Sequence, residues 1–183
     1  YIGVLLANLK ELNLDKNTLI IFASDHGESL GEHEENGHAI FVYDTTLKVP
    51  LIFSYPGLIP EGKVIENQVS LIDIMPTILD FLEIKKNKEI QGKALMRLIK
   101  GTQKSWDLPA YGESFYAKLH FNWSPLQAFH TGDWKYIKSS EPELYNLKND
   151  PKELVNLAKS KTDIVSQLDK QLQGFLKKTS APE

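Results

Sequence analysis

The stretch TLIIFASDHGESLGEHEENGH, at residues 18–38, contains the strongest structural signal in the chain. Its first part, Leu19–Phe22, is a run of β-branched and aromatic residues, which predicts a fully buried strand rather than a half-exposed one. The run ends at Ser24, and Asp25 and His26 follow at the point where the strand would stop. In open α/β sheets ligands bind beyond the carboxyl ends of strands, so we expect a functional site here.

The candidate chemistry of this site depends on three side chains. Asp25 and His26 offer an oxygen and a nitrogen ligand to one divalent cation, but two ligands do not complete a coordination sphere. The alternative is that Asp25 caps the following turn and His26 is an ordinary hydrogen-bonded polar residue. His38 follows Gly37, which allows close backbone approach. His38 could be a hydrogen-bond donor or general acid near neutral pH, or a surface loop histidine.

Other charged residues near this stretch favour simpler interpretations. The acidic residues Glu28, Glu32, Glu34 and Glu35 lack regular spacing, so they indicate a solvated acidic loop. We expect Lys48 to pair with a carboxylate such as Asp44. The sequence contains no Gly-x-Ser-x-Gly elbow, no phosphate-binding glycine loop and no His-Glu-x-x-His motif, and we find no nucleophile.

The composition excludes several classes of protein. With 183 residues the chain can form one core, or one core with a small appended lobe. A net charge of −3 and scattered basic residues give no reason to expect nucleic acid as a partner. The absence of cysteine excludes disulfides and thiolate metal sites. No apolar stretch approaches the roughly 18 residues that a membrane span needs.

Periodicity and turn residues predict an α/β part followed by a small α+β part. Apolar spacings of three and four predict helices over residues 2–13 and from Ser70 onward, and Val49–Tyr55 is a second strand candidate. Four short β segments and a final amphipathic helix follow residue 105; they are Ala110–Tyr116, Leu126–Thr131, Trp134–Lys138, Glu143–Tyr145 and residues 164–176. We therefore expect an α/β part at residues 1–104 and an α+β subdomain at residues 105–183.

Several ordered segments resemble the sulfatase family of the alkaline phosphatase superfamily. The resemblance covers NTLIIFASDHGESLGEH at residues 17–33, Gly37-His38, and YDTTLKVPLIF at residues 43–53. It continues with VSLIDIMPTILD at 69–80, GKAL at 92–95, TGDWKYI at 131–137 and ELYNLKNDPKELVNLA at 143–158. These segments cover nearly the whole chain in the family's order. Lys48 stands where the family usually has Arg before Val-Pro, which is a mild departure.

The resemblance implies a fold and a set of roles. The fold would be the C-terminal part of an alkaline-phosphatase-like α/β sandwich plus a small antiparallel-sheet-and-helix subdomain. Asp25 and His26 would be metal ligands, most often for Ca²⁺ and sometimes for Mg²⁺ or another divalent ion. His38 would contact the sulfate group of a sulfate-ester substrate or its leaving oxygen, as a catalytic and substrate-binding residue. Family members are commonly secreted, periplasmic or lysosomal.

The resemblance also implies what this chain lacks. Family members carry a Cys or Ser in a Cys/Ser-x-Pro-x-Arg motif, matured to a formylglycine nucleophile, and the chain contains neither the motif nor any Cys. We expect the chain to be a C-terminal fragment of a metal-dependent sulfatase-like hydrolase, with an N-terminal portion as its partner and no activity alone. Tyr1 could also be a processed end.

Two alternative functions remain open on the sequence. The first is a phosphodiesterase, phosphonate hydrolase or phosphoethanolamine-type transferase of the same superfamily, which shares the Ser-Asp-His-Gly-Glu signature. The second is a non-catalytic interaction module that derives from an enzyme. The identity of the upstream nucleophile would distinguish the first alternative, and the metal content of the assembled protein would distinguish the second.

Overall fold

The computed structural model describes residues 1–179. It contains six α-helices and eight β-strands within these residues. In chain order they are α1 (Ile2–Glu11), β1 (Ile20–Ala23), β2 (Ser29–Leu30), β3 (Asn36–Gly37), α2 (Asp44–Leu47), β4 (Leu51–Ser54), α3 (Ile74–Phe81), α4 (Met96–Ile99), β5 (Ala110–Ser114), α5 (Tyr116–Phe121), β6 (Leu126–Thr131), β7 (Trp134–Lys138), β8 (Glu143–Asn146) and α6 (Thr162–Thr179). No helix in this part of the chain is both long and apolar enough to cross a membrane.

The chain divides into two compact units, whose segments alternate along the sequence. The first unit consists of Tyr1–Asp25, Pro50–Asn67 and Leu71–Trp106. The second consists of His26–Val49, Gln68–Ser70 and Asp107–Glu183. Asp25 is therefore the last residue of the first segment in one unit, and His26 is the first residue of the other. The domain boundary between residues 104 and 105 stays a prediction.

In the first unit the predicted helix and strands are present, but their burial differs from expectation. Helix α1 has no buried residue. Strand β1 pairs antiparallel with β4, with Ile20 opposite Ser54. The prediction of a fully buried β1 is wrong, because Phe22 and Ala23 are exposed and the other two residues are only partly covered. The apolar pattern identified the elements and their apolar faces, but it contains no information on which elements cover those faces.

The buried part of the first unit lies at α3 and α4. Asp73, before α3, accepts a hydrogen bond from the Lys93 backbone N–H at 2.7 Å through Oδ1. The Thr77 hydroxyl accepts the Leu95 N–H at 2.9 Å and donates to the Asp73 carbonyl at 2.5 Å. These bonds fix the segment that leads into α4. The buried apolar side chains of α4 and its approach are Leu95, Met96, Leu98 and Ile99.

The second unit has a four-stranded antiparallel sheet with the strand order β5-β6-β7-β8. A two-residue turn joins β6 to β7, and Gly132 in that turn has a φ of 57°, as expected for a tight hairpin. Helix α6 packs on one face of the sheet. The buried leucines of α6 are Leu168, Leu172 and Leu176. In the sheet they pack in one cluster with Phe129, Tyr136 and Leu144. The structure thus confirms the predicted sheet with a helix on one face.

The opposite face of this sheet is also covered, which the sequence did not predict. Val42 packs there with Ala128, Ile137 and Tyr145, whose side chains alternate with those that face α6. Val42 belongs to the segment that follows His38. The small sheet is therefore the support for the loop that contains the candidate site residues of the second unit.

Candidate metal centre

Three side chains of the second unit converge at the start of that unit. His26, Glu28 and His38 each offer one ligand atom, and these atoms lie within 4.8 Å of one another. The rings of His26 and His38 are stacked, with centroids 3.8 Å apart and an angle of 27° between their planes. All three residues are exposed, so a substrate or an ion has access to them. Two imidazoles and a carboxylate form a donor set that suits a divalent cation.

The register of a short hairpin explains why Glu28 and His38 meet. Strand β2 pairs antiparallel with β3, with Ser29 opposite Gly37. The residues just outside this pair are Glu28 and His38, and they therefore lie opposite each other. Gly37 has a φ of 116°, a conformation that side-chain-bearing residues rarely adopt. The hairpin brings together two residues ten positions apart.

Hydrogen bonds select the proton positions on both rings. His26 Nδ1 lies 2.7 Å from the Gly27 carbonyl oxygen, which only accepts, so this nitrogen donates its proton. His38 Nδ1 lies 3.0 Å from Glu28 Oε2 and donates to the carboxylate. In each neutral ring the lone pair is then on Nε2. A histidine held by a backbone carbonyl or carboxylate through one nitrogen is the usual arrangement when the other nitrogen is a metal ligand.

Gly27 packs directly against α2. Its N–H donates to the Thr46 carbonyl at 2.7 Å. A Cβ at this position would lie 2.1 Å from the Thr45 carbonyl oxygen, a distance that no folded protein tolerates. Glycine is therefore required here for close approach of two backbone segments, and α2 sets the position of the residues on either side of Gly27.

Two acidic residues of the loop bond its backbone, and the expectation of a solvated acidic loop is wrong for Glu35, which is buried, whereas Glu32 and Glu34 are exposed. Glu35 is buried, and its Oε1 accepts the backbone N–H groups of Ile40 and Phe41 at 3.2 and 3.4 Å. Glu32 accepts the Leu30 N–H at 2.7 Å, and this bond lowers the pKa of its carboxyl group. These carboxylates hold the loop backbone in place, a role for which residue spacing gives no signal.

A buried ion cluster anchors α2 to the small sheet. Lys135 of β7 is 1% exposed, and its Nζ lies 2.8 Å from Asp44 Oδ1 and 2.7 Å from Glu153 Oε1. Glu153 also accepts the Asp44 backbone N–H at 2.7 Å through Oε2. The expectation that Lys48 pairs with Asp44 is therefore wrong. Asp44 is paired with a lysine 91 positions away, which local sequence could not indicate.

Two further hydrogen bonds join the loop to the sheet. The Tyr43 hydroxyl donates to Glu143 Oε2 on β8 at 2.9 Å, while the Tyr43 ring stacks on His33. The Ser114 hydroxyl at the end of β5 donates to the Ala39 carbonyl at 2.7 Å. Three strands of the small sheet thus hold residues 39–44, which follow His38 directly.

The predicted site residues stand as follows in the structure. Asp25 is exposed and follows β1 after Ser24, next to His26 in the chain. His26 and His38 are in stacking contact, and Glu28 joins them. Sequence reasoning missed Glu28, although the two glycines at positions 31 and 37 signal the hairpin that pairs it with His38. The roles of Asp25, His26 and His38 stay predictions.

Residues 31–178 match the family model described as N-sulphoglucosamine sulphohydrolase, C-terminal. The chain belongs to the sulfatase family. Arylsulfatase K from Homo sapiens is 33% identical over 192 aligned residues, which cover 96% of this chain and 34% of arylsulfatase K. The chain thus spans about a third of the length of the curated relatives it matches.

Solved structures of a sulfatase-type enzyme and of a phosphonate monoester hydrolase share this fold. The structure of BT4656 in complex with its substrate D-glucosamine-2-N,6-O-disulfate has a TM-score of 0.82 and 28% identity, with 100% of this chain and 38% of that chain covered. The phosphonate monoester hydrolase of Agrobacterium radiobacter has a TM-score of 0.83 and 28% identity, with 97% and 38% covered. This sulfatase chain therefore has the fold of the C-terminal part of an alkaline-phosphatase-like enzyme, as predicted.

Proposed function

We propose that the complete protein hydrolyses a sulfate ester at one bound divalent cation, and that this chain supplies part of the metal site. The observation that carries the proposal is the convergence of His26, Glu28 and His38 within 4.8 Å in a chain of the sulfatase family. The substrate of BT4656 in its complex is a sulfated sugar, so sugar sulfates are among the substrates proposed.

Asp25 and His26 are proposed as ligands of the cation. His26 suits this role because its Nδ1 lies 2.7 Å from the Gly27 carbonyl oxygen, and metal-ligating histidines usually donate one ring N–H to such an acceptor. Asp25 directly precedes His26 in the chain and would supply the oxygen that a hard cation such as Ca²⁺ or Mg²⁺ prefers. When bound, such a cation neutralises charge on the oxygens of the transferred group.

His38 is proposed as the residue that stabilises or protonates the leaving oxygen. Its Nδ1 lies 3.0 Å from Glu28 Oε2, so an imidazolium at this position would have its Nε2–H as the second donor. Glu28 then acts through His38 as a positioning residue, because one of its oxygens is engaged by that ring. Exposure of both side chains leaves room for a substrate.

The nucleophile is proposed to lie outside these 183 residues, as a formylglycine in the N-terminal portion of the same enzyme. The chain contains no cysteine, and none of its serines lies in a Cys/Ser-x-Pro-x-Arg motif. We therefore expect residues 1–183 alone to give no turnover of a chromogenic aryl sulfate, whereas the complete protein hydrolyses it. Metal-dependent turnover by the 183 residues alone would contradict this part of the proposal.

Phosphonate monoester hydrolysis is the second candidate, because a phosphonate monoester hydrolase has the same fold over 97% of this chain. The test is the value of kcat/KM of the complete protein for an aryl sulfate and for the phosphonate monoester with the same leaving group. We expect the sulfate to be preferred at least tenfold. A higher kcat/KM for the phosphonate monoester would contradict sulfate-ester hydrolysis and support phosphonate monoester hydrolysis.

A further inference from the structure

The buried ion cluster that anchors α2 is connected to His26 by a series of hydrogen bonds that passes through α2. We define the Lys135 cluster as Lys135, Asp44 and Glu153. These three residues, α2 and His26 all belong to the second compact unit. The series therefore lies within one unit, and each of its contacts has a known length.

The Lys135 cluster fixes the beginning of α2. This helix has only four residues, Asp44–Leu47, and a single turn is not stable by itself. Its N-cap, Tyr43, is not one of the short polar residues that usually satisfy the first N–H groups of a helix. Glu153 satisfies one of them, because its Oε2 accepts the Asp44 N–H at 2.7 Å. Lys135 Nζ then holds Glu153 Oε1 at 2.7 Å and Asp44 Oδ1 at 2.8 Å.

Burial makes this arrangement difficult to change. The side chains of Lys135 and Glu153 are each 1% exposed, and that of Asp44 is 24% exposed. Water and salt screen such charges only weakly, and the removal of one partner leaves an uncompensated charge in the interior. The position of α2 relative to β7 is therefore set by strong, directional contacts.

The same helix holds Gly27, the residue after His26. The Thr46 carbonyl accepts the Gly27 N–H at 2.7 Å. Thr46 is buried, and its hydroxyl lies 3.1 Å from the Phe41 carbonyl oxygen and 3.0 Å from that of Tyr43, which fixes the turn. The Gly27 carbonyl in turn accepts the His26 Nδ1–H at 2.7 Å. One residue, Gly27, thus connects α2 to the imidazole ring of His26.

We propose that the members of the Lys135 cluster are positioning residues for His26, which act on its ring through α2 and Gly27. This inference rests on the proposed function, in which His26 is a ligand of the divalent cation. A shift of α2 moves the acceptor of the Gly27 N–H and, with it, the carbonyl that orients the His26 ring. Groups that orient a metal ligand typically contribute 10–100-fold to metal affinity. The cluster then acts on the site as well as on the stability of the fold.

The test compares two aspartate-to-asparagine substitutions in the complete protein. Asp44→Asn removes a charge from the Lys135 cluster but keeps the backbone N–H that Glu153 accepts. Asp169→Asn is the matched control, because Asp169 of α6 pairs with Lys138 of the same strand, also at 2.8 Å. Side chains alternate along a strand, so Lys138 lies on the face opposite to that of Lys135.

A second control separates positioning from stability. Leu172 is fully buried between α6 and the sheet, and Leu172→Ala lowers the free energy of unfolding without removing a charge. A loss of stability alone leaves the affinity for a ligand unchanged as long as nearly all molecules stay folded. Urea unfolding of each variant shows whether this condition holds.

Two measurements follow the position of Gly27 and His26. Calorimetry of the metal-free complete protein with Ca²⁺ gives Kd, and hydrogen exchange followed by mass spectrometry gives the protection of the peptide that contains Gly27. We expect Asp44→Asn to raise Kd about tenfold and to make this peptide exchange about tenfold faster. Asp169→Asn and Leu172→Ala should keep both quantities within about twofold of wild type, because both residues belong to α6.

Wild-type values of Kd and of Gly27 exchange in Asp44→Asn would overturn the inference. Equal changes in Leu172→Ala would also overturn it, because the effect would then follow stability rather than the position of α2. If Asp44→Asn does not fold, Glu153→Gln takes its place with the same expectations. It removes a charge from the cluster and keeps an amide oxygen that can accept the Asp44 N–H.

The outcomes also separate this inference from the proposed function. If the wild-type protein binds Ca²⁺ more tightly than Asp44→Asn but hydrolyses no sulfate ester, the proposed function fails and the positioning role stands. If wild type hydrolyses the ester and Asp44→Asn changes neither Kd nor exchange, the positioning role fails and the proposed function stands. A wild type that binds no Ca²⁺ contradicts the proposed metal site, and the exchange of the Gly27 peptide then decides whether the cluster holds this segment.

Discussion

Gly27 illustrates how one residue without a side chain determines the geometry of its neighbours. The backbone around it approaches α2 so closely that a Cβ would lie 2.1 Å from the Thr45 carbonyl oxygen. We expect Gly27→Ala to lower the free energy of unfolding by about 2 kcal/mol or more, since the clash is with backbone. Urea unfolding measures this.

The matched control for Gly27 is a glycine in the same unit that has open space around it. Gly174 lies in α6, and an added Cβ there meets nothing within 4 Å. Gly174→Ala should raise the free energy of unfolding by roughly 0.5–1 kcal/mol, because alanine loses less backbone entropy in a helix. Equal effects of the two substitutions would show that the contact at Thr45 is unimportant.

Glu28 is expected to act on the reaction through His38. Glu28→Gln keeps the size of the side chain but removes the charge that accepts the His38 Nδ1–H at 3.0 Å. In the complete protein we expect kcat for an aryl sulfate to fall about tenfold, with KM changed by less than about threefold. Glu34→Gln, in the same loop and exposed, is the control and should be silent. A large loss of cation affinity in Glu28→Gln would instead make Glu28 a ligand.

At the scale of elements, the contact between β7 and α2 depends on the buried Lys135. Lys135→Met would leave the Glu153 and Asp44 carboxylates without their cation, and the Glu153 side chain is only 1% exposed. We expect the free energy of unfolding to fall by about 3–5 kcal/mol, as is usual when one partner of a buried pair is removed.

Lys138 provides the control on the same strand. It pairs with Asp169 at 2.8 Å, and both side chains are more than a third exposed. Lys138→Met should lower the free energy of unfolding by less than about 1 kcal/mol, because water screens the pair. If the two methionine variants unfolded at the same urea concentration, the buried cluster around Lys135 would contribute no more to the free energy of unfolding than the exposed Lys138–Asp169 pair.

The pH dependence of stability should report on Glu153. Burial raises the pKa of its carboxyl group, although Lys135 opposes this effect. The folded state then binds the proton more tightly than the unfolded state, so this group's contribution to the unfolding free energy decreases as pH rises from about 4.5. Glu153→Gln removes that contribution. Relative to wild type, the variant should therefore become more stable as pH rises, and a constant difference across pH would contradict the raised pKa.

The elements were predictable from the sequence where local pattern decides them. The four strands after residue 105 and helix α6 follow from alternation and helical periodicity, and Gly132 marks the hairpin turn. The partners of charged residues were not predictable. Asp44 pairs with Lys135, and buried Glu35 holds backbone N–H groups, because such contacts depend on how distant segments pack. Glu28 meets His38 for the same kind of reason, through a hairpin of only two residues per strand.

At the scale of the whole molecule, the comparison with known families establishes which family the chain belongs to, but it does not establish the metal site. The family model spans residues 31–178, while Asp25 and His26 belong to different compact units and are joined by a peptide bond. Their shared role as metal ligands is therefore a proposal that rests on the resemblance and on donor chemistry. It has to be tested in the complete protein, where both units and the expected nucleophile are present.

The most direct test measures bound divalent metal and aryl sulfate turnover together in the complete protein. Wild type should contain one cation and hydrolyse the ester, and Asp25→Ala should lose both, because an oxygen ligand of the cation is removed. Asp80→Ala, which removes an exposed carboxylate on α3, should retain both. Metal content and turnover that remain at the wild-type level in Asp25→Ala would contradict the assignment of this sequence as part of a sulfatase metal site.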